Sequence, residues 1–251
     1  MATQKQLVSV VIPCYNEATS IKKVIDDFYK SQLIKTSFDF DVIVVDNASS
    51  DGTADVAKAA GARVIREPRR GKGHAVRTGF ANIAPDATYV VMIDGDDTYR
   101  PEEVLRLLEP LYHDFCDVII GSRLGGKLHG ASMSFTNRAG NWGFTHLVRL
   151  AYTTNVTDVL SGYFAWKRYV IDELEPCLKS DGFAIEMEMI TKMARMGYET
   201  YSVPISYHHR QGESTLRPFY DGLRILYALV ANLRARTEPR TVDEDAIEER
   251  M

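Results

Sequence analysis

The chain has 251 residues, 45% hydrophobic and 25% charged, with a net charge of −4. That length suits one large α/β domain or two small ones, and the acidic balance argues against a nucleic-acid partner. Three cysteines, Cys14, Cys116 and Cys177, lie far apart without metal-ligand spacing, which fits a reduced, cytoplasmic protein rather than a disulfide framework. No run of about 18 apolar residues occurs and the first apolar stretch is short, so neither a membrane span nor a signal peptide is expected.

Taken in order, strand and helix alternate. Residues 7–13 are apolar and β-branched, and predict a buried strand. Ile21, Val24, Ile25 and Phe28 recur at helical spacing within 17–32. Residues 41–46 (D-V-I-V-V-D) predict a second buried strand that ends in an acid. The turn Asn47-Ala-Ser-Ser-Asp-Gly follows, with Ser50 or Asp51 able to cap a short helix to 60. A third strand is expected at 62–66, and Gly71-Lys72-Gly73 opens a helix to about residue 84. Residues 89–94 form a fourth strand, and Pro101 suits the first turn of the next helix. A fifth strand covers 117–121, and the glycine-rich stretch 125–134 is expected to be a mobile loop. Helices at 137–152 and 183–196 and strands at 163–166 and 199–207 follow. A helix over 216–236 and an acidic, weakly ordered tail at 237–251 close the chain. This alternation implies a mostly parallel sheet with helices on both faces.

Within that order, Tyr89–Tyr99 (Y-V-V-M-I-D-G-D-D-T-Y) is the organising stretch. An apolar run enters Asp94, Gly95, Asp96 and Asp97 at the carboxyl end of a strand, where open α/β sheets bind ligands. Closely spaced acids repel unless something positive offsets them, and Asp-x-Asp offers hard oxygen ligands to a divalent cation. The plainer alternative is an Asp-Gly turn. Strand ends carrying Tyr15, Glu17, Asp46 and this pair suit a nucleotide. Lys72, beside a helix start, suits a phosphate or a base edge; alternatively it is a solvated loop lysine. His208 and His209 are neighbours on a strand and point to opposite faces, and Met187, Met189, Met193 and Met196 read as core packing.

At this point the motifs resemble a family. Val11-Ile-Pro-Cys-Tyr-Asn-Glu17, Val44-Val-Asp-Asn-Ala-Ser-Ser-Asp-Gly-Thr53, Gly71-Lys72-Gly73 with Gly79, and Asp94-Gly95-Asp96 together resemble family 2 glycosyltransferases of GT-A fold. Gly121-Ser122-Arg123, Asn137-Arg138, Asp158-Val-Leu-Ser161-Gly162-Tyr163, Gly182-Phe183 with Glu188, and Arg210-Gln-Gly-Glu-Ser214 are similar to the dolichyl-phosphate mannose synthase branch. The resemblance covers about residues 7–235, nearly the whole of a single catalytic domain expected over 1–236, with a nucleotide-sugar half (1–100) and an acceptor half (101–236). It implies transfer of a sugar from a GDP- or UDP-linked donor to a polyprenyl or dolichyl phosphate. Pro13, Tyr15, Glu17, Asp46, Lys72 and Gly95 would hold the nucleotide sugar. Asp94 and Asp96 would contact Mg²⁺ or Mn²⁺ and the diphosphate. Arg210 and Ser214 would close over the donor, and Ser122, Arg123 and Arg138 would hold the acceptor phosphate. Two positions depart from the family: Thr98 stands where a glutamine is common and is the remaining candidate metal ligand, and Thr215 stands where a lysine is common.

A lipid phosphate acceptor is already anionic and needs cationic positioning. A hydroxyl acceptor needs a carboxylate base, for which Asp158, Glu186 and Glu188 are the candidates. Glu186 and Glu188 lie two apart on a predicted helix, so at most one faces the site. A nucleotide-sugar-binding protein without turnover is a third reading. The final helix either packs on the domain, lies peripherally on an anionic membrane, or mediates a homo-oligomer.

Overall fold

A computed structural model describes residues 5–33, 37–130, 132–210 and 217–234. Ser214, Thr215 and the tail at 237–251 lie outside them.

The strands are β1 (Gln6–Cys14), β2 (Phe38–Asp46), β3 (Arg63–Arg66), β4 (Tyr89–Met92), β5 (Val118–Leu128), β6 (Phe164–Lys167) and β7 (Thr200–Tyr207). The helices are α1 (Ile21–Leu33), α2 (Thr53–Ala59), α3 (Lys72–Phe80), α4 (Val104–Tyr112), α5 (Phe135–Tyr152), α6 (Arg168–Leu174), α7 (Ile185–Met196) and α8 (Pro218–Arg234). All seven strands join one sheet in the order β3-β2-β1-β4-β6-β5-β7. Only β6 runs against the rest, antiparallel to both β4 and β5.

Side-chain alternation along the strands builds two cores. Val8, Val10 and Ile12 face one side with Val42 and Val44, and there they meet Ile21, Val24, Ile25 and Phe28 of α1 and Leu107, Leu108 and Leu111 of α4. Val11, Ile43 and Val45 face the other side, against Val76 and Phe80 of α3 and Met187, Met189, Ile190 and Met193 of α7. Met187, Met189 and Met193 therefore pack the core and Met196 packs against it, as expected of methionines there. On α8, Ile225 and Leu229 are buried in this core and Ala228 packs against it, while Phe219, Leu223 and Tyr227 are exposed.

Two expectations change. The stretch 125–134 is not all loop: β5 runs on to Leu128, pairing Lys127 with Ser206 and Leu128 with Tyr207 beyond a bulge. Gly126 is needed there because a Cβ would sit 1.9 Å from the Ile205 carbonyl oxygen. The short helix α6 had no sequence prediction. It follows β6 directly and buries Val170, Ile171 and Leu174, three apolar positions in too short a run to announce a helix.

The strand ends carry the functional geometry. The six co-directional strands bring their carboxyl ends to one edge, and the reversed β6 brings its amino end, with Ser161 and Gly162, to the same edge. The loops leaving β1, β2 and β4 each turn through a left-handed residue: Asn16 (φ 56°), Ala48 (φ 57°) and Asp97 (φ 58°). Such φ values are uncommon outside glycine, and they let the chain turn sharply at the sheet edge.

Gly79 of α3 lies directly on β1, where an added Cβ would meet Val11 Cγ1 at 2.3 Å and Val45 Cγ2 at 3.2 Å. Overpacking of this kind costs roughly 1–3 kcal/mol, and alanine's better helix propensity offsets up to about 1. Gly79→Ala is therefore expected to lower the urea midpoint without changing the denaturant slope, as measured by equilibrium unfolding.

Candidate active site

The first cavity, about 450 Å³, opens at the carboxyl ends of β1, β2 and β4. Pro13, Tyr15 and Glu17 line it from β1 and its loop, Lys72 from α3, and Asp94, Gly95 and Asp96 from the loop after β4. Arg210, at the end of the described chain after β7, lines it from the opposite side.

Local chemistry holds these loops together. Backbone N–H groups of Asn16, Glu17 and Ala18 donate to Ser49, Thr53 and Asp51, and Ser50 N donates back to Asn16 Oδ1. The β1 and β2 loops are thereby stitched into one unit. Asn47 then fixes the third loop: its amide donates to the carbonyls of Glu67 and Arg69, and its Oδ1 accepts from Gly71 N. Glu67 accepts from Arg69 and Thr78, and its carboxyl is held down at about 2, chiefly by Arg69.

The glycines flanking Lys72 serve packing. A Cβ on Gly71 or Gly73 would lie 2.2 or 2.0 Å from the carbonyl oxygens of Asp181 or Ser180. That close approach brings Lys72 inward, where its ammonium bridges Asp94 Oδ1 and Glu186 Oε1, each at 2.6 Å. Burial alone would lower the lysine's pKa, but the two carboxylates more than offset it and raise it. The solvated-loop alternative for Lys72 is thereby excluded.

Opposite Lys72, Arg210 pairs with Glu17 and, at 3.3 Å, with Asp96 Oδ2. Burial pushes the Glu17 carboxyl up to about 7 against the pull of Arg210. Burial and the neighbouring Asp94 also raise Asp96, against Thr98 and Arg210. Thr98 donates to Asp96 Oδ1 through both its hydroxyl, at 2.6 Å, and its backbone N–H. It orients Asp96 and lines neither cavity.

A second cavity, about 310 Å³, adjoins the first and shares Lys72, Asp94, Asp96, Phe183 and Arg210 with it. Arg123 and Glu186 line it, as do Ser132 and residues of α5 and α8. Four buried polar atoms on its lining residues have no hydrogen-bond partner: Ser132 Oγ, Asn141 Oδ1, Glu186 Oε2 and Arg210 Nε.

Residues 9–175 match the family model described as "Glycosyl transferase family 2". The chain belongs to glycosyl transferase family 2. It is 36% identical over 217 residues to glycosyltransferase AglJ of Haloferax volcanii, covering 86% of this chain and 68% of that one. It is 34% identical to a dolichyl-phosphate hexose transferase of the same organism (88% and 92% covered). An undecaprenyl-phosphate mannosyltransferase of Micrococcus luteus is 29% identical (92% and 96% covered). Among solved structures, glucosyl-3-phosphoglycerate synthase from Mycobacterium tuberculosis with Mn²⁺ and UDP-glucose superposes with a TM-score of 0.73 at 23% identity, covering 93% of this chain and 81% of that one. This last likeness is one of fold, the GT-A arrangement.

Several expected residues of the transferase lie away from the cavities. Asp46 sits at the same sheet edge but lines neither one; its carboxylate accepts from Ser49 N. Ser122 is buried, accepting from Gly125 N and Thr157 Oγ1. Arg138 is exposed on the outer side of α5, and Asn137 and Asn141 line the cavity instead. Arg123 does line it, tied to Asp158 through Nε at 2.8 Å and Nη2 at 2.9 Å, with its guanidinium carbon 5.4 Å from the centre of the Tyr207 ring.

Among the base candidates, Asp158 is fully buried and accepts from Arg123 and Asn141. Burial would raise its carboxyl, but Arg123 more than offsets this and lowers it. It is a counter-ion, not a base. Glu188 turns away to accept from Lys179 N, Ser180 N and Lys192 Nζ. Glu186 alone reaches the cavity, as the two-residue spacing allows.

Asn47, Arg70, Asn141 and Phe183 are lining residues that had no site prediction. Asn47 directly follows Asp46, Arg70 precedes Gly71-Lys72-Gly73, and Asn141 is one helical turn after Asn137. The Arg70 guanidinium sits 5.0 Å from the centre of the Tyr15 ring.

Two outcomes follow from these charges. Removing one partner of a buried ion pair typically costs about 3–5 kcal/mol, so Asp158→Ala is expected to lose a comparable amount in equilibrium unfolding. Glu17, raised from 4.5 to about 7 in the fold, binds its proton more tightly there than in the unfolded chain. Its contribution to stability is full below about pH 4.5 and is lost as pH rises through about 7. Urea titrations across that window should show a downward slope with pH for the native sequence and a flatter one for Glu17→Gln.

Proposed function

We propose that this transferase moves a sugar, with inversion, from a nucleotide sugar to the phosphate of a polyprenyl lipid. The observation that carries the reading is the junction of two cavities across Asp94, Asp96, Lys72 and Arg210. A donor in the first cavity and an acceptor in the second would meet at those four side chains. The relatives named as dolichyl-phosphate hexose transferase and undecaprenyl-phosphate mannosyltransferase support a polyprenyl phosphate as acceptor.

In the first cavity, Tyr15 and Asn47 offer a ring face and an amide for the nucleoside. Arg70, Lys72 and Arg210 offer cations for the diphosphate. Asp94 and Asp96 would hold Mg²⁺ or Mn²⁺, the latter being the ion crystallised with glucosyl-3-phosphoglycerate synthase. The donor set fits: Asp94 and Asp96 are neighbouring hard-oxygen donors that line the cavity together and repel each other without a cation. Two carboxylates with coordination left for phosphate oxygens suit a hard divalent cation. Such an ion supplies positive charge against the leaving diphosphate.

In the second cavity, Ser132 Oγ and Arg210 Nε are unpartnered donors beside Arg123, suited to an anionic acceptor. Asn141 Oδ1 and Glu186 Oε2 are unpartnered acceptors, suited to sugar hydroxyls. An acceptor phosphate attacks the anomeric carbon from the face opposite the diphosphate. It is already ionised, so positioning replaces a general base.

Glu186 supports a second reading. Its buried free oxygen could accept a proton from a hydroxyl acceptor. Glu186→Gln separates the two. Loss of about 100-fold or more in kcat with the donor KM unchanged marks a base for a hydroxyl, a rise in donor KM marks loss of the Lys72 partner, and largely retained turnover supports the phosphate acceptor.

The decisive assay incubates purified protein with a panel of nucleotide sugars and a short-chain polyprenyl phosphate, with and without Mn²⁺. Transfer that requires the ion, yielding an inverted anomer, is expected. Asp96→Asn should reduce kcat by about 100-fold or more while leaving the circular dichroism spectrum unchanged. Near-normal turnover in that variant would remove Asp96 from the metal site.

A further inference from the structure

Helices α5 and α8 pack side by side and wall the second cavity with their inner faces, through Asn141 and Phe144 of α5 and Gly222 and Ile225 of α8. Their outer faces are as apolar as their inner ones. On α5, Phe135 is 84% exposed, Trp142 59% and Leu150 84%. On α8, Phe219 is 83% exposed, Leu223 54% and Tyr227 75%. On each helix these positions recur at a spacing that keeps them on one stripe. A surface helix of a globular protein ordinarily turns such a stripe inward and shows polar residues to water. Here the stripe faces out on two neighbouring helices, far beyond the scattered apolar side chains normal on a surface.

The charges on these helices are equally one-sided. The chain as a whole is −4, yet α5 contains no acidic residue. The single acid of α8, Asp221, is buried and accepts from Arg217 N. Arg138 and Arg149 on α5 and Arg224 on α8 are exposed, and Arg224 lies 4.8 Å over the Tyr220 ring. A second copy seated on the same surface would bring further arginines and no exposed acid of these helices to pair with them. Aromatic and aliphatic side chains flanked by arginines, without exposed acids, match an interface of hydrocarbon and anionic headgroups.

We propose that the outer faces of α5 and α8 form one docking surface for an anionic lipid bilayer. Among the described residues no helix is long and apolar enough to cross a membrane, and the proposed contact is one of helices lying along the surface. Interfacial helices sink roughly 5–10 Å into the headgroup and acyl boundary, and a helix is about 10 Å across. The second cavity, one helix behind the apolar stripes, then stands at headgroup depth. A phosphate on a membrane-anchored chain would be presented there. This last step rests on the proposed acceptor; the docking surface itself does not.

The test uses the two tryptophans. Trp166 is fully buried and Trp142 is exposed, so a change in emission on adding lipid reports Trp142. With phosphatidylcholine vesicles containing phosphatidylglycerol, the protein should co-sediment and its emission should shift to the blue. Pure phosphatidylcholine should bind it less, and added salt should weaken the contact. The double variant Trp142→Ser/Tyr227→Ser should sediment at least about tenfold less, with an unchanged far-ultraviolet spectrum. It should also keep native turnover on a water-soluble short-chain polyprenyl phosphate without vesicles. No co-sedimentation of the native protein, or equal co-sedimentation of the variant, overturns the proposal. So does a blue shift that appears with protein concentration in the absence of lipid, which assigns the surface to a second copy. Vesicle binding without turnover on any polyprenyl phosphate would leave docking in place and remove the proposed acceptor.

Discussion

Asp94, Asp96 and Glu17 converge where apolar strands meet solvent, and Lys72 and Arg210 are what make that convergence tolerable. Burial and mutual repulsion push two of these carboxyls upward, which is the electrostatic signature of acids brought together against their preference. Much of the surrounding covalent pattern follows from admitting the two cations. Gly71 and Gly73 lack side chains because the backbone of 180–181 lies against them and steers Lys72 inward. Gly162 lacks one because a Cβ there would fall 2.0 Å from the Asp94 carboxylate. Thr98 holds Asp96 in place. Each of these cations pairs with acids that line the first cavity or the second.

This explains which parts of the site were legible in the residue order. Strands β1, β2 and β4 announce themselves by uninterrupted β-branched runs that end in polar residues, and a parallel sheet brings such ends together. Tyr15, Glu17, Asp94 and Asp96 could be gathered at one edge by that logic, with the turn alternative for the acids and the loop alternative for Lys72 left open until the family motifs were joined to it. Arg123, Asp158, Glu188 and Ser122 could not be sorted in the same way. Their types suit catalysis, but type does not reveal that Asp158 is matched to Arg123 or that Glu188 receives the N–H groups of Lys179 and Ser180. Those partners are set by the path of the later chain, where spacing is irregular. Asn141 escaped notice for the converse reason. An asparagine within a helix carries no local signal, and only the packing of α5 over the cavity gives it a function.

A glycine of the second half serves contact rather than flexibility. Gly125 and Gly126 look like a flexible connection, yet Gly126 lets the backbone of β5 reach β7 where any side chain would collide with Ile205. Glycine permits close approach as readily as mobility. Helix α8 was legible as apolar but not as two-faced: only three-dimensional packing separates Ile225 and Leu229 from the exposed stripe beside them.

The reversed strand β6 has a bearing on how the polypeptide acquires its shape. It lies between β4 and β5, although it is made after both. A nascent chain that has emerged as far as β5 can pair β3, β2, β1 and β4 in parallel, but the outer edge of β4 has no neighbour. Strand β5 has none either until residues 164–167 arrive to join them. The two halves of the sheet are thus zipped by a four-residue strand with long sequence separation on one side. Contacts of that kind raise the entropic barrier to folding and leave an unpaired edge exposed in the interim. Asp94, just past that edge, acquires its Gly162 neighbour only when the zipper closes, so a competent reaction centre is among the last things the growing chain can complete.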